Sequence, residues 1–509
     1  MMVQNTGGKG PGGAGAVRTA RDAGLTRPLD LHVGLDFGTC FTKLCCRHLG
    51  RDESFVVRLG VLGTGLEDAL IPSVVGIAPD GRLVGGLTET EWRKNPEPSL
   101  QRVRFLKMLL AGGRVPHRAM SWAGVSGLKT ADEDRIRALS TYFIYRVLDR
   151  FRGWARHHFL GAGSTRPLRL SFSLGVPVEQ FDSPARRTFQ GVLNTACRWL
   201  DGGPIDGPWT LERALKLMAS GEGRESRETV ADTVPEIAAA VHAFLASRQS
   251  QRGVYFYLDI GGGTLDAVAF KRWDKDGEPQ VNFYCGKVEP LGLDALSEAA
   301  ARRLDREPGS LLHYLSRSEP GPGKRAVNPP APRFSWMKGK EPAMRSTGPA
   351  SPGPVADEGI FTLLEPERRL IHRQVGTVLA TSLKKDPVAF RAGRGDNPFQ
   401  KDPGEKIWVF SGGGGAASTF YAEAVDEAWR LRLKQCGLPG LSRQVIEVPG
   451  DLEFLGLPAS SYRRFDIAYG LSIPEEDRFR AWMPSLFEPQ EEDSGAARGL
   501  DHVDTHDWQ

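Results

Sequence analysis

Short apolar runs that alternate with turn residues, and longer stretches with apolar positions at i, i+3 and i+4, follow one another along this chain. The pattern predicts an α/β protein. Its clearest run is Tyr255-Phe256-Tyr257-Leu258-Asp259-Ile260, followed by Gly261-Gly262-Gly263 and a second run from Leu265 to Phe270. Short runs separated by three glycines predict a β-hairpin. Leu31 to Leu35, the turn Asp36-Phe37-Gly38-Thr39 and the returning run Leu44-Cys45-Cys46 repeat that layout in miniature. Each hairpin has a carboxylate at the strand end, glycine in the turn and a hydroxyl just after it.

The remaining segments continue the alternation. Phe55 to Leu87 breaks into short apolar pieces with turn signals, as in a small antiparallel subdomain, and Val103 to Leu110 is a basic, apolar, helix-like stretch. Asp134 to Leu160 predicts a long amphipathic helix. Leu168 to Pro177 predicts a strand, and Ser183-Pro184 opens the helix after it. Val234 to Val241 predicts a small-residue helix whose alanines let another element come close. After an alanine-rich helix ending at Leu304, residues 318–357 are rich in proline, glycine and basic residues and predict a long surface loop. Glu365 to Leu383 is helical again. Lys406 to Phe410 is a strand leading into Ser411-Gly412-Gly413-Gly414-Gly415, with a helix from Tyr421 to Leu433, and Arg464 to Leu471 closes the fold.

Chemistry concentrates at the glycine turns. With no Cβ in the way, backbone N–H groups there can close on a polyphosphate. Asp259 and Asp266 would repel phosphate, so a divalent cation with its waters is the natural intermediary. Arg104 and Lys107 stand one helical turn apart and could point at one place.

Composition narrows the partners. With 509 residues there is ample core for a large two-lobed body, and a net charge of +4 gives no nucleic-acid or anionic-membrane signature. The six cysteines form no C-x-x-C pair, and no run of about eighteen apolar residues occurs. A soluble, cytoplasmic protein is expected. Residues 1–28 carry six glycines before position 16, and from Glu475 onward ten acidic residues face three arginines, so both ends are expected to be tails.

The order of motifs resembles the actin-like ATPase fold shared by actins, the seventy-kilodalton heat-shock chaperones and sugar kinases. Asp36-Phe37-Gly38-Thr39 resembles its first phosphate motif, Asp259 to Asp266 its second, and Ser411 to Gly415 its adenosine motif. Pro235 to Val241 resembles the first connecting helix and Ala468-Tyr469-Gly470-Leu471 the second. The resemblance implies duplicated ribonuclease-H-like cores about a central nucleotide cleft: a first lobe at 29–250, with a small subdomain at about 59–133, and a second at 251–474. The second phosphate motif is most similar to the nucleotide-binding domain of the chaperones. So is Asn95-Pro96 to Leu110, which resembles their loop carrying a catalytic lysine; Lys107 takes that role with a three-residue insertion and Arg104 without one.

What the resemblance implies is ATP and Mg2+ as ligands. Asp36 and Asp259 would hold the waters of the magnesium, and Thr39 and Thr264 would touch phosphates within turns formed by Gly38, Gly261, Gly262, Gly263 and Asp266. Gly412, Gly413 and Gly414 would meet the adenosine. Lys107 would supply charge and Glu236 would orient the attacking water, although Pro235-Glu236 inverts the chaperones' Glu-Pro. Lys43 falls where actins place a phosphate-binding lysine. The implied function is an ATPase that acts as a nucleotide-gated switch for protein partners, with a filament-forming bacterial actin as the alternative. The acceptor-binding aspartate motif of the sugar kinases is not found. Only the acidic tail follows Ile473, so the chaperones' peptide-binding domain is not expected, and segments Ile205 to Glu228 and Ser318 to Asp357 are candidate partner contacts.

Overall fold

A computed structural model of the chain describes residues 27–60, 65–94, 100–112, 133–161, 164–181, 183–203, 207–221, 229–246, 250–275, 278–306, 357–387, 406–434 and 438–482, with positions 311, 315, 389 and 390. Most of the expected tail at 1–28, most of the 318–357 loop, the Asn95-Pro96 turn and part of the 205–228 segment lie outside the described residues. Among the described residues, no helix is long and apolar enough to cross a membrane, and the five described cysteines are free thiols.

Two mixed sheets carry the architecture, and they share one topology. In the first, β1 (Leu29–Phe37), β2 (Phe41–His48) and β3 (Glu53–Val56) form an antiparallel meander. On the other side of β1, β4 (Leu168–Val176) and then β5 (Val230–Pro235) add in parallel. In the second, β6 (Gly253–Ile260), β7 (Leu265–Lys275) and β8 (Glu278–Glu289) form the meander. Beyond β6, β9 (Lys406–Gly412) and β10 (Gly440–Arg443) add in parallel. Strand for strand, the order 3-2-1-4-5 of the first sheet equals 8-7-6-9-10 of the second. A small antiparallel sheet of Val75–Ile77, Leu83–Gly85 and Gln101–Val103 stands in the predicted subdomain.

Helices fill the spaces around these sheets. Helix α1 (Leu106–Gly112), α2 (Glu133–Ala155) and α3 (Ala185–Asp201) pack on the first sheet through Leu139, Phe143, Phe151, Phe189 and Leu193. Past Ala155 the predicted helix widens into a single π turn, Arg156–Leu160, with Trp154 stacked on His158 at 4.7 Å. Between the sheets lie α4 (Glu236–Ala240) and, later in the chain, α8 (Asp466–Leu471). Helix α5 (Leu293–Leu304), α6 (Glu365–Lys385) and α7 (Thr419–Ala428) cover the far face of the second sheet. Since both faces of both sheets are covered, β1 and β6 read as near-continuous apolar runs, as buried central strands do.

Small residues set the crossing of α4 and α8. A Cβ on Gly470 would lie 1.9 Å from the Ala239 carbonyl oxygen, and one on Gly34 of β1 would lie 2.1 Å from that of Ala468. The predicted close approach at the alanines is therefore a backbone contact between the two helices. The chain end differs from expectation. Instead of a tail from Glu475, a 3-10 turn at Glu475–Asp477 leads to β11 (Arg480–Trp482), which pairs in parallel with β8. Charge counting missed this because the docking rests on Phe479, packed against the inter-sheet core, and on Arg478, which donates to Ser173 at 2.6 Å and Asp232 at 3.0 Å.

Candidate functional site

Strand alternation decides which side chains meet. On β1, Leu31, Val33, Leu35 and Phe37 point to α2 and α3, so Asp36 points to the space between the sheets. On β6, Phe256, Leu258 and Ile260 point to the outer helices, while Tyr255, Tyr257 and with them Asp259 point inward. Both aspartates stand at strand ends, so they face each other across one cleft. Register adds a partner to each: Lys43 lies opposite Asp36, and Asp266 lies opposite Asp259.

The cleft is a cavity of about 170 Å³. The first hairpin contributes Asp36, Gly38, Thr39 and Lys43 to its wall, and the second contributes Asp259, Gly261, Gly262 and Thr264. Lys107, Gly413 and Gly414 complete it, with Asp294 and Arg464, which the sequence did not single out. Tip to tip, the two turns touch. Thr39 Oγ1 lies 3.4 Å from Thr264 Oγ1, and a Cβ on Gly263 would lie 2.5 Å from Thr39 Cγ2. The carbonyls of Gly261, Gly262 and Gly263 accept from Leu293 (3.0 Å), Asp294 (2.7 Å) and Gly292 (3.2 Å) at the start of α5, which anchors the turn from behind.

Two lysines, Lys43 and Lys107, serve four carboxylates, Asp36, Glu236, Asp259 and Asp266. Lys43 is ion-paired with Asp36. Lys107 Nζ donates to both oxygens of Glu236, at 2.6 and 2.7 Å. Burial alone lowers the Lys107 pKa, but Glu236, Asp266 and Asp36 together outweigh it and hold it at about 12. Burial raises Glu236 to about 7 against the pull of Lys107, with Asp36 and Asp259 adding to the rise. Both partners shift upward for one reason: carboxylates outnumber cations, so the site holds its protons. Burial likewise raises Asp259, and raises Asp266 well above the carboxylate range. Room for Glu236 comes from Gly175 of β4, where a Cβ would lie 2.6 Å from Glu236 Cγ.

Of Lys107 and Arg104, Lys107 borders the cleft and Arg104 is not among its lining residues. The helix begins only at Leu106, after Phe105 at φ 56°, so the two cations are not one helical turn apart. Arg104 lies instead in the field of Glu298, Cys40 and Asp294. Gly412 also stands elsewhere than expected. It does not border the cleft, and a Cβ there would lie 1.9 Å from the Tyr257 hydroxyl. Gly413 does border it, at φ 79° and with a Cβ position 2.3 Å from Asp259 Oδ1, so only glycine fits.

Sequence reading gave no role to Asp466. Its Oδ2 accepts from the Tyr257 hydroxyl at 2.8 Å, and burial, then Asp259, raise its pKa to about 8. A signal was present: Asp466-Ile467-Ala468 opens α8 as Glu236-Ile237-Ala238 opens α4. Because folded Asp466 holds its proton more tightly than an unfolded aspartate, protonation favours the native state. The native protein should therefore lose stability relative to Asp466→Asn as pH rises from about 4 toward about 8. Denaturant midpoints across that window check it; parallel pH curves for the two proteins would refute it.

The residues present fit a hard divalent cation. Asp266 Oδ1 is buried without a hydrogen-bond partner, and the carboxylate excess is unbalanced by protein cations. Asp36 and Asp259 face the same space. Among the described residues, no group of three or more His, Cys, Asp or Glu side chains is placed to hold a metal ion directly. The chain matches no protein-family model and no curated protein sequence.

Proposed function

We propose that the cleft binds Mg-ATP and hydrolyses it, and that the chain works as a nucleotide-gated switch of actin-like, chaperone type for protein partners. The observation that carries this reading is the repeated sheet topology, with the equivalent hairpin turn of each sheet aimed at one cleft. The glycine turn after β9 supports an adenosine placement through Gly413 and Gly414, which border that cleft.

Phosphoryl transfer needs positioning and charge neutralisation more than covalent help from the protein. Asp36 and Asp259 would hold a magnesium ion through waters, and the bound ion would supply positive charge to the phosphates. Thr39 and Thr264 place hydroxyls on the phosphates. Lys107 has three N–H groups and spends two on Glu236, so one remains for a phosphate oxygen. Glu236, with a pKa near neutrality, is suited to orient the attacking water and take its proton. Because the hairpin tips touch, phosphates entering between them must part them. The movement passes to α4 and α8, which carry Glu236 and Asp466 and cross at Gly470.

Phosphate release by the native protein and by Asp259→Asn tests this. Loss of about 10²–10³-fold is expected on substitution, and equal release would sink the reading. Lys43, placed in the cleft as in actins, keeps a filament-forming ATPase as the second reading. Sedimentation with and without ATP separates them: a monomer under both conditions excludes filaments.

A further inference from the structure

A second cavity, of about 470 Å³, lies between the two sheets and shares no wall residue with the cleft. Strand β5 of the first sheet gives it Thr233 and Val234, β8 of the second gives Val281 and Phe283, and Ala239 and Gly470 border it where α4 crosses α8. The chain end closes one side through Phe479 and Ala481. Small-molecule sites are typically of roughly 300–1,000 Å³, with mostly apolar walls and a few polar groups that fix the ligand. Here the polar groups decide what fits.

His242 is the first of them. It borders the cavity, is 8% exposed, stacks on Phe479 at 4.9 Å, and makes no hydrogen bond among the described residues. Its ring nitrogens are not sealed in protein either, so they meet the open space of the cavity. Burial, then Arg478 and Arg47, lower its pKa to about 4, while Asp451 opposes them. The ring is neutral near pH 7, with one N–H to donate, and its arginine neighbours favour an anion beside it. Arg186 is the second. It is exposed, with its guanidinium 4.1 Å over the Phe181 ring, and its Nε donates to Thr233 Oγ1 at 3.3 Å. Its terminal N–H groups make no hydrogen bond among the described residues.

We propose that this cavity is a second binding site, separate from the cleft, for a small monocarboxylate with an apolar body, whose carboxylate takes its hydrogen bonds from Arg186 and His242. The apolar body packs among Phe181, Phe283 and Phe479. Hydrogen bonds from a guanidinium to a carboxylate are of the strong, charge-assisted kind. The two acids at the cavity leave room for such an anion. Asp232 is engaged by Ser173 on one oxygen and by Arg478 on the other, and Glu475 is exposed, where water and salt screen it. The proposal does not rest on the nucleotide reading.

Calorimetric titration of the full chain with octanoate, with 3-phenylpropionate and with uncharged 1-octanol tests it. At least one acid should bind saturably, the tighter one naming an aliphatic or an aromatic body, and octanol should bind about tenfold more weakly than octanoate. Arg186→Gln and His242→Phe should each weaken acid binding about tenfold. His242→Phe keeps a ring against Phe479 and gives up no hydrogen bond, so without ligand it should melt no lower than the native protein, which separates lost binding from lost folding. Thr264→Val, in the cleft, should bind the acid as the native protein does. Absence of binding by both acids overturns the proposal, as does octanol binding as tightly as octanoate, or acid binding that survives both cavity variants. Binding lost in Thr264→Val overturns it too, because the acid then belongs to the cleft.

Discussion

Lys107→Met should cut ATP turnover about 10²–10³-fold and destabilise the protein by about 3–5 kcal/mol, because it strands Glu236 as a buried carboxylate without its cation. Glu236 is 2% exposed and receives both of its strong hydrogen bonds from one nitrogen. With Asp36, Asp259 and Asp266 near, the orphaned carboxylate cannot stay charged and must take up a proton. Adding Glu236→Gln to Lys107→Met removes the stranded charge, so the double variant should recover most of the lost stability. It should recover none of the turnover, since phosphates would still lack the lysine, a loss of about 10²–10³-fold for one transition-state donor. Urea unfolding and phosphate release on the native, single and double variants separate the two effects. A double variant no more stable than Lys107→Met would show that the pair is not the structural unit its geometry suggests.

Gly470→Val should be the most damaging substitution remote from the cleft. The added Cβ would meet the Ala239 carbonyl oxygen at 1.9 Å and its carbonyl carbon at 2.5 Å, and both are backbone atoms that no rotamer can move aside. Overpacking of this kind costs about 1–3 kcal/mol or more, and here the strain falls where α4 crosses α8. Glu236 and Asp466 open those helices, so a shift at the crossing also displaces both acids. A fall in melting temperature together with weakened ATP hydrolysis is expected. Gly440→Ala, where a Cβ meets nothing within 4 Å, serves as the control and should leave both unchanged. Native stability and turnover in Gly470→Val would show that the helices can separate freely.

Much of this site could be read in the residues because strand alternation and turn chemistry are local. A carboxylate at the end of an apolar run, then glycine, then threonine, already places Asp36 and Asp259 at hairpin mouths. The pairing of Lys43 with Asp36 needed the register of β1 on β2, which the turn length alone did not fix. The order of the parallel strands β4, β5, β9 and β10 depends on crossovers, which no local pattern encodes. In the sequence, Arg104 and Lys107 stand at a helical spacing and could point at one place. The left-handed backbone at Phe105, which an aromatic residue seldom adopts, breaks that spacing and sends them to different partners. Tyr257 read as one more aromatic in a buried strand, and only its contact with Asp466, 209 residues away, gives its hydroxyl a purpose. Docking of β11 was hidden in an acidic stretch because Arg478, besides donating to the nearby Ile473 carbonyl, bonds Ser173 and Asp232 of the first sheet, 305 and 246 residues away.

Calorimetric titration of ATP in the presence of Mg2+, on the native chain and on Thr264→Val, tests most directly whether the two like sheets close on a nucleotide. Saturable binding at a single site is expected for the native protein, with an affinity weaker by about tenfold in the variant, which keeps the shape of threonine but loses the hydroxyl. Absence of binding heat with the native protein, or equal affinity in the two, would contradict it.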